Sequence, residues 1–226
     1  NMGIDEKTNS IIVNKIEEEC TKFKDRSAEF QKGFTGTAPI PYTILAGTYL
    51  VDCEPKIFFE WKREDEKFIQ LSTKKKANFP ELKIKEMDNP NVNAESIIVA
   101  ISTTRRIKKH QLKDFGEQDI IEIYLDDCKD NNITYIKQLQ NYRKVILDEL
   151  EALGRKNYPH LNQINLVASI PSCMSLEIGR MIAQNNNRVK KIVAYHFVNQ
   201  GTKLYPFGIA VTESQGQYKK GELIQN

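Results

Sequence analysis

Long apolar runs are missing from this chain. No segment approaches the roughly 20 apolar residues that a helix needs to cross a bilayer. The opening Asn1-Met2-Gly3-Ile4-Asp5 has no cationic region leading into an apolar stretch, so no secretory leader is read there. With Met2 in second place, Asn1 reads as a tag scar, and the chain is expected to be a piece of a longer protein. Closely paired cysteines are missing too. Cys20, Cys53, Cys128 and Cys173 lie far apart, which excludes a zinc knuckle or a redox dithiol. The expectation is reduced, mostly buried thiols in a cytoplasmic protein, with tethering to a membrane through a region outside this chain left open. Nor does one sign of charge prevail: 33 Lys and Arg against 30 Asp and Glu leave a net charge of +3. That is too weak for a general nucleic-acid coat, so no DNA or RNA binding is expected.

Catalytic signatures are equally scarce. His110, His160 and His196 form no HExxH pair, and no glycine-rich phosphate loop ending in Lys-Ser/Thr is present. There is no G-x-S-x-G nucleophile elbow and no G-x-G-x-x-G after the first strand. Asp126-Asp127 close a strand and have metal-binding chemistry, but partner ligands are missing and strands leaving into solvent often end in carboxylates. No metal, cofactor or catalytic residue is expected.

What is present is a regular alternation of helices and strands. Ile12, Ile16, Cys20 and Phe23 recur at helical spacing, and a short extended stretch follows near Phe30 to Gly36. Pro39 and Pro41 open a further helix reaching Leu50, because a first helical turn tolerates proline. Ile57–Trp61 and Phe68–Leu71 read as strands around a Glu64-Asp65-Glu66 turn, and Leu82–Met87 as a strand with one wet face. Ser96–Ile101 is a β-branched run of the kind buried on both faces of a sheet. A basic short helix comes after Ser102-Thr103-Thr104, then a strand at Ile120–Leu125. The longest helix is predicted from Thr134 to Leu153, with Gly154 as its stop. Ile164–Ile170, Lys191–Val198 and Phe207–Val211 read as strands and Ser172–Gln184 as a helix. The basic clusters are local: Lys74-Lys75-Lys76 in a solvated loop, Arg105-Arg106 with Lys108-Lys109, and Lys190-Lys191.

The chain also repeats itself. Pro39 and Pro171 are 132 positions apart, as are Gly47 and Gly179. Around each pair the same four elements follow in order: a long amphipathic helix, a strand, the Pro-to-Gly helix and an aromatic-bearing strand. The pattern predicts an α/β fold of two pseudo-symmetric Rossmann-like lobes, with largely parallel sheets flanked by helices, divided as 1–130 and 131–226. In such sheets the ligand crevice lies beyond the carboxyl ends of the strands. Two crevices facing each other would make one pocket for a ligand with repeated units. Gly47 and Gly179 are expected to let each helix pack closely on its sheet, not to touch ligand.

Leu166-Val167-Ala168-Ser169-Ile170-Pro171, Gly179-Arg180 and Val193-Ala194-Tyr195-His196 resemble the SAVED domain of bacterial anti-phage (CBASS) effectors. Ser96-Ile97-Ile98-Val99-Ala100-Ile101-Ser102-Thr103-Thr104 is similar to that family's middle strand and hydroxyl-rich loop. The resemblance covers nearly the whole chain. It implies two fused CARF-like lobes, recognition of a cyclic di- or trinucleotide made by a cGAS-like nucleotidyltransferase, and ligand-driven head-to-tail self-association. It further implies activation of an effector, commonly a nuclease, a TIR NADase, a protease or a membrane segment. No effector motif is visible in this chain, which reads as all sensor and not as an enzyme.

A ring of linked nucleotides needs cations or N–H groups for phosphates, flat surfaces for bases, and hydroxyls or amides for base edges. Thr35, Gly36 and Thr37 precede one repeat helix, and Ser169, Pro171, Ser172 and Met174 surround the start of the other. Both helix N-termini are candidate anion seats, although Thr37 and Ser172 would serve equally as plain caps. Ser102, Thr103, Thr104 and Arg105 end the buried strand, where hydroxyls and a guanidinium suit phosphate or ribose; an exposed turn is the alternative. Tyr42, Trp61 and Tyr195, with His196, are candidate stacking groups, against the common fate of strand aromatics as core. Arg180 would serve the ligand or a neighbouring subunit. Two alternatives stay open. One is a CARF-type nuclease that degrades cyclic oligonucleotides, since a pocket gripping phosphates can align a ribose hydroxyl for attack. The other is a nucleotide-binding regulatory module outside CBASS.

Overall fold

The computed structural model describes residues 4–26, 29–74, 78–185, 190–213 and 219–226. Residues 1–3 and two members of the basic triplet, Lys75 and Lys76, lie outside the described residues. Helix α1 covers Glu6–Arg26, followed by β1 (Gly33–Phe34), α2 (Ile40–Tyr49), β2 (Ile57–Lys62) and β3 (Lys67–Gln70). Next come β4 (Lys83–Lys85), β5 (Ser96–Ser102), a 3₁₀ helix at Lys109–Phe115, and β6 (Ile120–Tyr124). The chain continues through α3 (Ile136–Lys156), β7 (Gln163–Ser169), α4 (Ser172–Gln184), β8 (Lys191–His196), β9 (Phe207–Ala210) and β10 (Leu223–Gln225).

The repeat seen in the sequence is present as two matching runs, α1–β1–α2–β2–β3 and α3–β7–α4–β8–β9. In each, the first strand lies parallel to the second and the second antiparallel to the third. The first run forms a three-stranded sheet, β1-β2-β3, and the second joins a seven-stranded sheet ordered β10-β9-β8-β7-β5-β6-β4. Four neighbouring strands of the large sheet, β8, β7, β5 and β6, are parallel, while β4, β9 and β10 add antiparallel flanks. Strands from both sides of position 130 share this sheet, because β5 pairs with β7 from Ser96↔Gln163 to Ser102↔Ser169.

β5 sits in the middle because its sequence leaves it no wet face. Ile97, Val99 and Ile101 point into the main core with Leu139, Tyr142, Ile146 and Leu150 of α3. Ile98 and Ala100 point the other way, toward Leu112 and Phe115 of the 3₁₀ helix and Tyr195 and Tyr205. Each such isoleucine contributes roughly 2 kcal/mol by leaving water. β4 is exposed along its length and occupies the sheet edge, where its lysines discourage further pairing.

Three expectations change on contact with the fold. Gly154 does not stop α3, which runs on to Lys156; a Cβ there would lie 2.7 Å from Cε of Lys190, so the glycine makes room for that side chain. Gly47 and Gly179 bring the two repeat helices against each other and not only against their sheets. A Cβ on Gly179 would lie 1.9 Å from the Ile44 carbonyl oxygen, and one on Gly47 would lie 2.3 Å from that of Leu176. Arg180 serves neither ligand nor a neighbouring subunit. Fully buried, it donates from Nε to Leu50 O (3.2 Å) and from Nη2 to Val51 O (3.3 Å), closing the C-terminal end of α2. Its Nη1 pairs with buried Glu177, whose other oxygen accepts from Arg143 Nη1 of α3 at 2.6 Å.

All four cysteines are free; Cys20, Cys53 and Cys173 are buried and Cys128 is half-buried. Among the described residues no helix is long and apolar enough to cross a membrane.

Candidate ligand-binding site

The carboxyl ends of β2, β5, β7 and β8 open onto one cleft of about 790 Å³, within the size range of small-molecule sites. The first turn of α2 (Pro39, Ile40, Pro41) and the start of α4 (Pro171, Ser172) stand on its walls, so both repeats contribute. Nine residues expected from the sequence line it: Thr37, Trp61, Thr104, Arg105, Ser169, Pro171, Ser172, Tyr195 and His196.

Local bonding explains why the hydroxyls cluster. Where β5 and β7 end side by side, the Ser169 carbonyl accepts from the amides of Thr103 and Thr104, each at 2.9 Å. The Ser169 and Thr104 hydroxyls share a hydrogen bond of 2.9 Å, and Ser169 Oγ also accepts from the Arg105 amide at 3.2 Å. The two loops are thereby tied into one hydroxyl-bearing rim, with the Arg105 side chain exposed beside it. Arg106 is held differently. Its guanidinium lies 3.2 Å from the Tyr124 ring centroid, and Nη2 donates to Glu122 at 2.5 Å.

Six expected contacts are not on the cleft wall. Tyr42 is buried, its hydroxyl donating to Asn9 Oδ1 at 2.9 Å. Met174 is fully buried in the main core. Ser102 is buried with its hydroxyl accepting from the Ile107 amide at 3.0 Å, which folds the following loop back over the strand. Thr103 is fully buried, and its Oγ1 has no hydrogen-bond partner. Thr35 is exposed and Gly36 half-buried, both preceding the part of the loop that faces the cleft. Burial of β5 on both faces accounts for Ser102 and Thr103: the run ends deeper in the fold than a solvent-facing loop would.

The N-terminus of α4 also departs from expectation. It is met by a carboxylate of the protein itself: Glu60 of β2 accepts from the Cys173 amide at 2.5 Å. Burial raises the Glu60 carboxyl above its usual range, and the hydrogen bond from Cys173 opposes that rise. A strand of the small sheet thus caps a helix of the large one, inside the cleft.

Sequence reasoning passed over several lining residues, among them Glu60, Arg63, Arg106, Lys108, His110 and Asn199. Arg106 and Lys108 belong to a basic cluster visible in the sequence; the others carry no local signal. Aromatic surface comes from Trp61, which meets Phe68 edge-on at 5.1 Å, and from Phe197, which meets Tyr205 at 5.5 Å. Tyr195 packs edge-on against Phe115 at 4.7 Å, and burial pushes its hydroxyl up to about 12. His196 lines the cleft beside it, with burial lowering its basicity. Asp126 and Asp127 pair with Lys83 and Lys129, and the described residues contain no group of three or more His, Cys, Asp or Glu able to hold a metal.

A cleft at strand carboxyl ends, lined by hydroxyls, cations and aromatic faces, has the chemistry of a nucleotide site. Comparison with curated proteins finds no match. Among solved structures, the fold is similar to an Acinetobacter baumannii Cap4 SAVED/CARF-domain containing receptor with the cyclic trinucleotide 2′3′3′-cAAA. That match has a TM-score of 0.61 at 15% identity, over 87% of this chain and 42% of that one. The same receptor with 3′3′3′-cAAA matches with the same figures. A Moraxella osloensis Cap4 SAVED/CARF-domain containing receptor matches with a TM-score of 0.54 at 14% identity, over 86% of this chain and 40% of that one. The chain therefore spans about two fifths of the length of these receptors. A family model, the SMODS-associated and fused to various effectors sensor domain, matches residues 16–211. That span takes in both repeats, and the chain belongs to the SAVED family of sensor domains.

Proposed function

We propose that this chain senses a cyclic di- or trinucleotide in the cleft between its two repeat units. On this reading, ligand drives head-to-tail association of copies and so activates an attached or partner effector in CBASS anti-phage defence. The ligand comes from a cGAS-like nucleotidyltransferase. The observation that carries the proposal is the convergence of Arg63, Arg105 and Lys108 with the Thr104–Ser169 hydroxyl rim in one cleft. Phosphates would meet the cations, ribose and base edges the hydroxyls, and base faces Trp61 and Phe197. The similar Acinetobacter receptors hold cyclic trinucleotides, which supports a ring of that class. The sensor reading assigns this chain no chemistry of its own.

Titration of the chain with cyclic di- and trinucleotides by calorimetry and thermal unfolding tests the reading. Ligand at about 100 times its Kd should stabilise the fold by roughly 2.7 kcal/mol and leave the ring intact on chromatography. Light scattering in the same samples should report assembly. Neither heat nor a melting shift with any ring would overturn the sensor assignment; ring opening would replace it with the nuclease reading.

A further inference from the structure

Two carboxylates stand on the wall of a cleft whose cations, Arg63, Arg105, Arg106 and Lys108, suit phosphates. Their circumstances differ. Asp130 is exposed, so water screens its charge and its side chain is free to turn away. Glu60 is only 8% exposed and is fixed, accepting from the Cys173 amide at 2.5 Å where α4 begins. Pro171 and Ser172 of the same turn line the cleft with it.

Nothing positive offsets the Glu60 charge except the amides of that turn. On the α4 side it meets the Ser172 and Cys173 amides and the Cys173 thiol, and on β3 apolar Ile69 stands opposite it. Among the described residues no Lys, Arg or His forms an ion pair with it; the cleft cations and the histidines His110 and His196 are set along other parts of the wall. A polyanion entering the cleft therefore approaches a buried charge of its own sign. Two like unit charges roughly 10 Å apart, at an effective dielectric constant of about 20, shift an equilibrium by about tenfold. We infer that Glu60 is an electrostatic brake on ring binding, whose charge raises the ring concentration at which the cleft fills. The inference rests on the sensor reading above and adds to it what sets the threshold: a cationic cleft attracts any nucleotide, and the carboxylate keeps weakly held anions out.

Glu60→Gln tests it, because glutamine keeps a carbonyl oxygen for the Cys173 amide while losing the charge. The full 226-residue chain and the variant are titrated calorimetrically with the all-adenine cyclic trinucleotide. The variant should bind roughly fivefold tighter or more at about pH 7.5. Protonation imitates the substitution, and burial lifts the Glu60 carboxyl above its usual range. The ratio of parent to variant dissociation constants should therefore shrink toward one as pH falls to about 4.5. Protonation of the cleft histidines is common to both proteins and cancels from that ratio. Equal affinities at about pH 7.5 overturn the brake, and so does weaker binding by the variant, which would make Glu60 a ligand contact or a necessary cap. A ratio that ignores pH also overturns it. If the glutamine variant fails to fold, calorimetry of a His110→Gln/His196→Gln chain in buffers of unequal ionisation enthalpy takes its place. Ring binding near pH 5 should then draw in a proton, and no uptake overturns the brake. Absence of ring binding by both parent and variant removes the sensor reading together with this inference; ring binding that the substitution leaves unchanged removes only the inference.

Discussion

Arg105 and Arg106 are neighbours in the chain with opposite circumstances. Arg106 is committed to Glu122 and the Tyr124 ring, whereas the Arg105 side chain stands exposed at the cleft rim. Arg105→Ala should weaken ring binding by about 1–3 kcal/mol in calorimetry and leave the melting temperature unchanged. Arg106→Ala should lower the melting temperature as well, since it strips a partner from Glu122. His196 gives a pH dependence. Burial lowers its pKa in the folded chain below the usual 6.5, so on acidification the unfolded chain takes up the proton first. Stability should therefore fall as pH drops through about 6.5, and the loss should level off below the folded value. Urea unfolding of His196→Gln at about pH 7.5 and about pH 5.5 should show a smaller acid loss than the parent. At this scale Thr104, Arg105 and Ser169 were legible because each follows a conspicuous β-branched run. Glu60 was not: between Phe59 and Trp61 on a short strand it looks like a solvent-facing carboxylate, and only the tertiary fold sets the start of α4 against it.

The two repeat helices carry the next set of consequences. α2 and α4 touch backbone to backbone at Gly47 and Gly179, with no room for a Cβ on either side. Gly179→Ala should destabilise the fold by about 3 kcal/mol or more in urea titrations, because the clash is with a carbonyl oxygen and not with a side-chain tip. Arg180→Met should cost about 3 kcal/mol, since it removes the side-chain donor to the Leu50 carbonyl, leaves Val51 O with Gln184 alone, and leaves Glu177 with Arg143 alone. Element order and type were readable from periodicity, and the P-to-G spacing exposed the duplication. The role of the glycines was misplaced because one helix's pattern does not reveal which surface it meets. β10 escaped notice because three residues beside β9 are too few to show alternation.

For the molecule as a whole, a ring seated in the cleft would bridge walls that are remote in sequence. Hydrogen exchange should then slow together in segments 37–41, 104–108 and 169–172, with little change in β3 or β4 (both exposed and outside the cleft). Protection confined to one segment would mean the ligand sits elsewhere. Sheet membership was the least legible property at this scale. One of the two partners of β5 is β7, reached only after β6 and the whole of α3, and pairing across such a separation leaves no mark on local sequence. The glycine contact also gauges the aperture. Both helices begin at the cleft mouth and meet lower down, so their closest approach sets how far apart their first turns stand. Two absent methyl groups therefore act as a shim of zero thickness beneath the cleft, and a homologue carrying alanines at both positions would hold its walls wider apart.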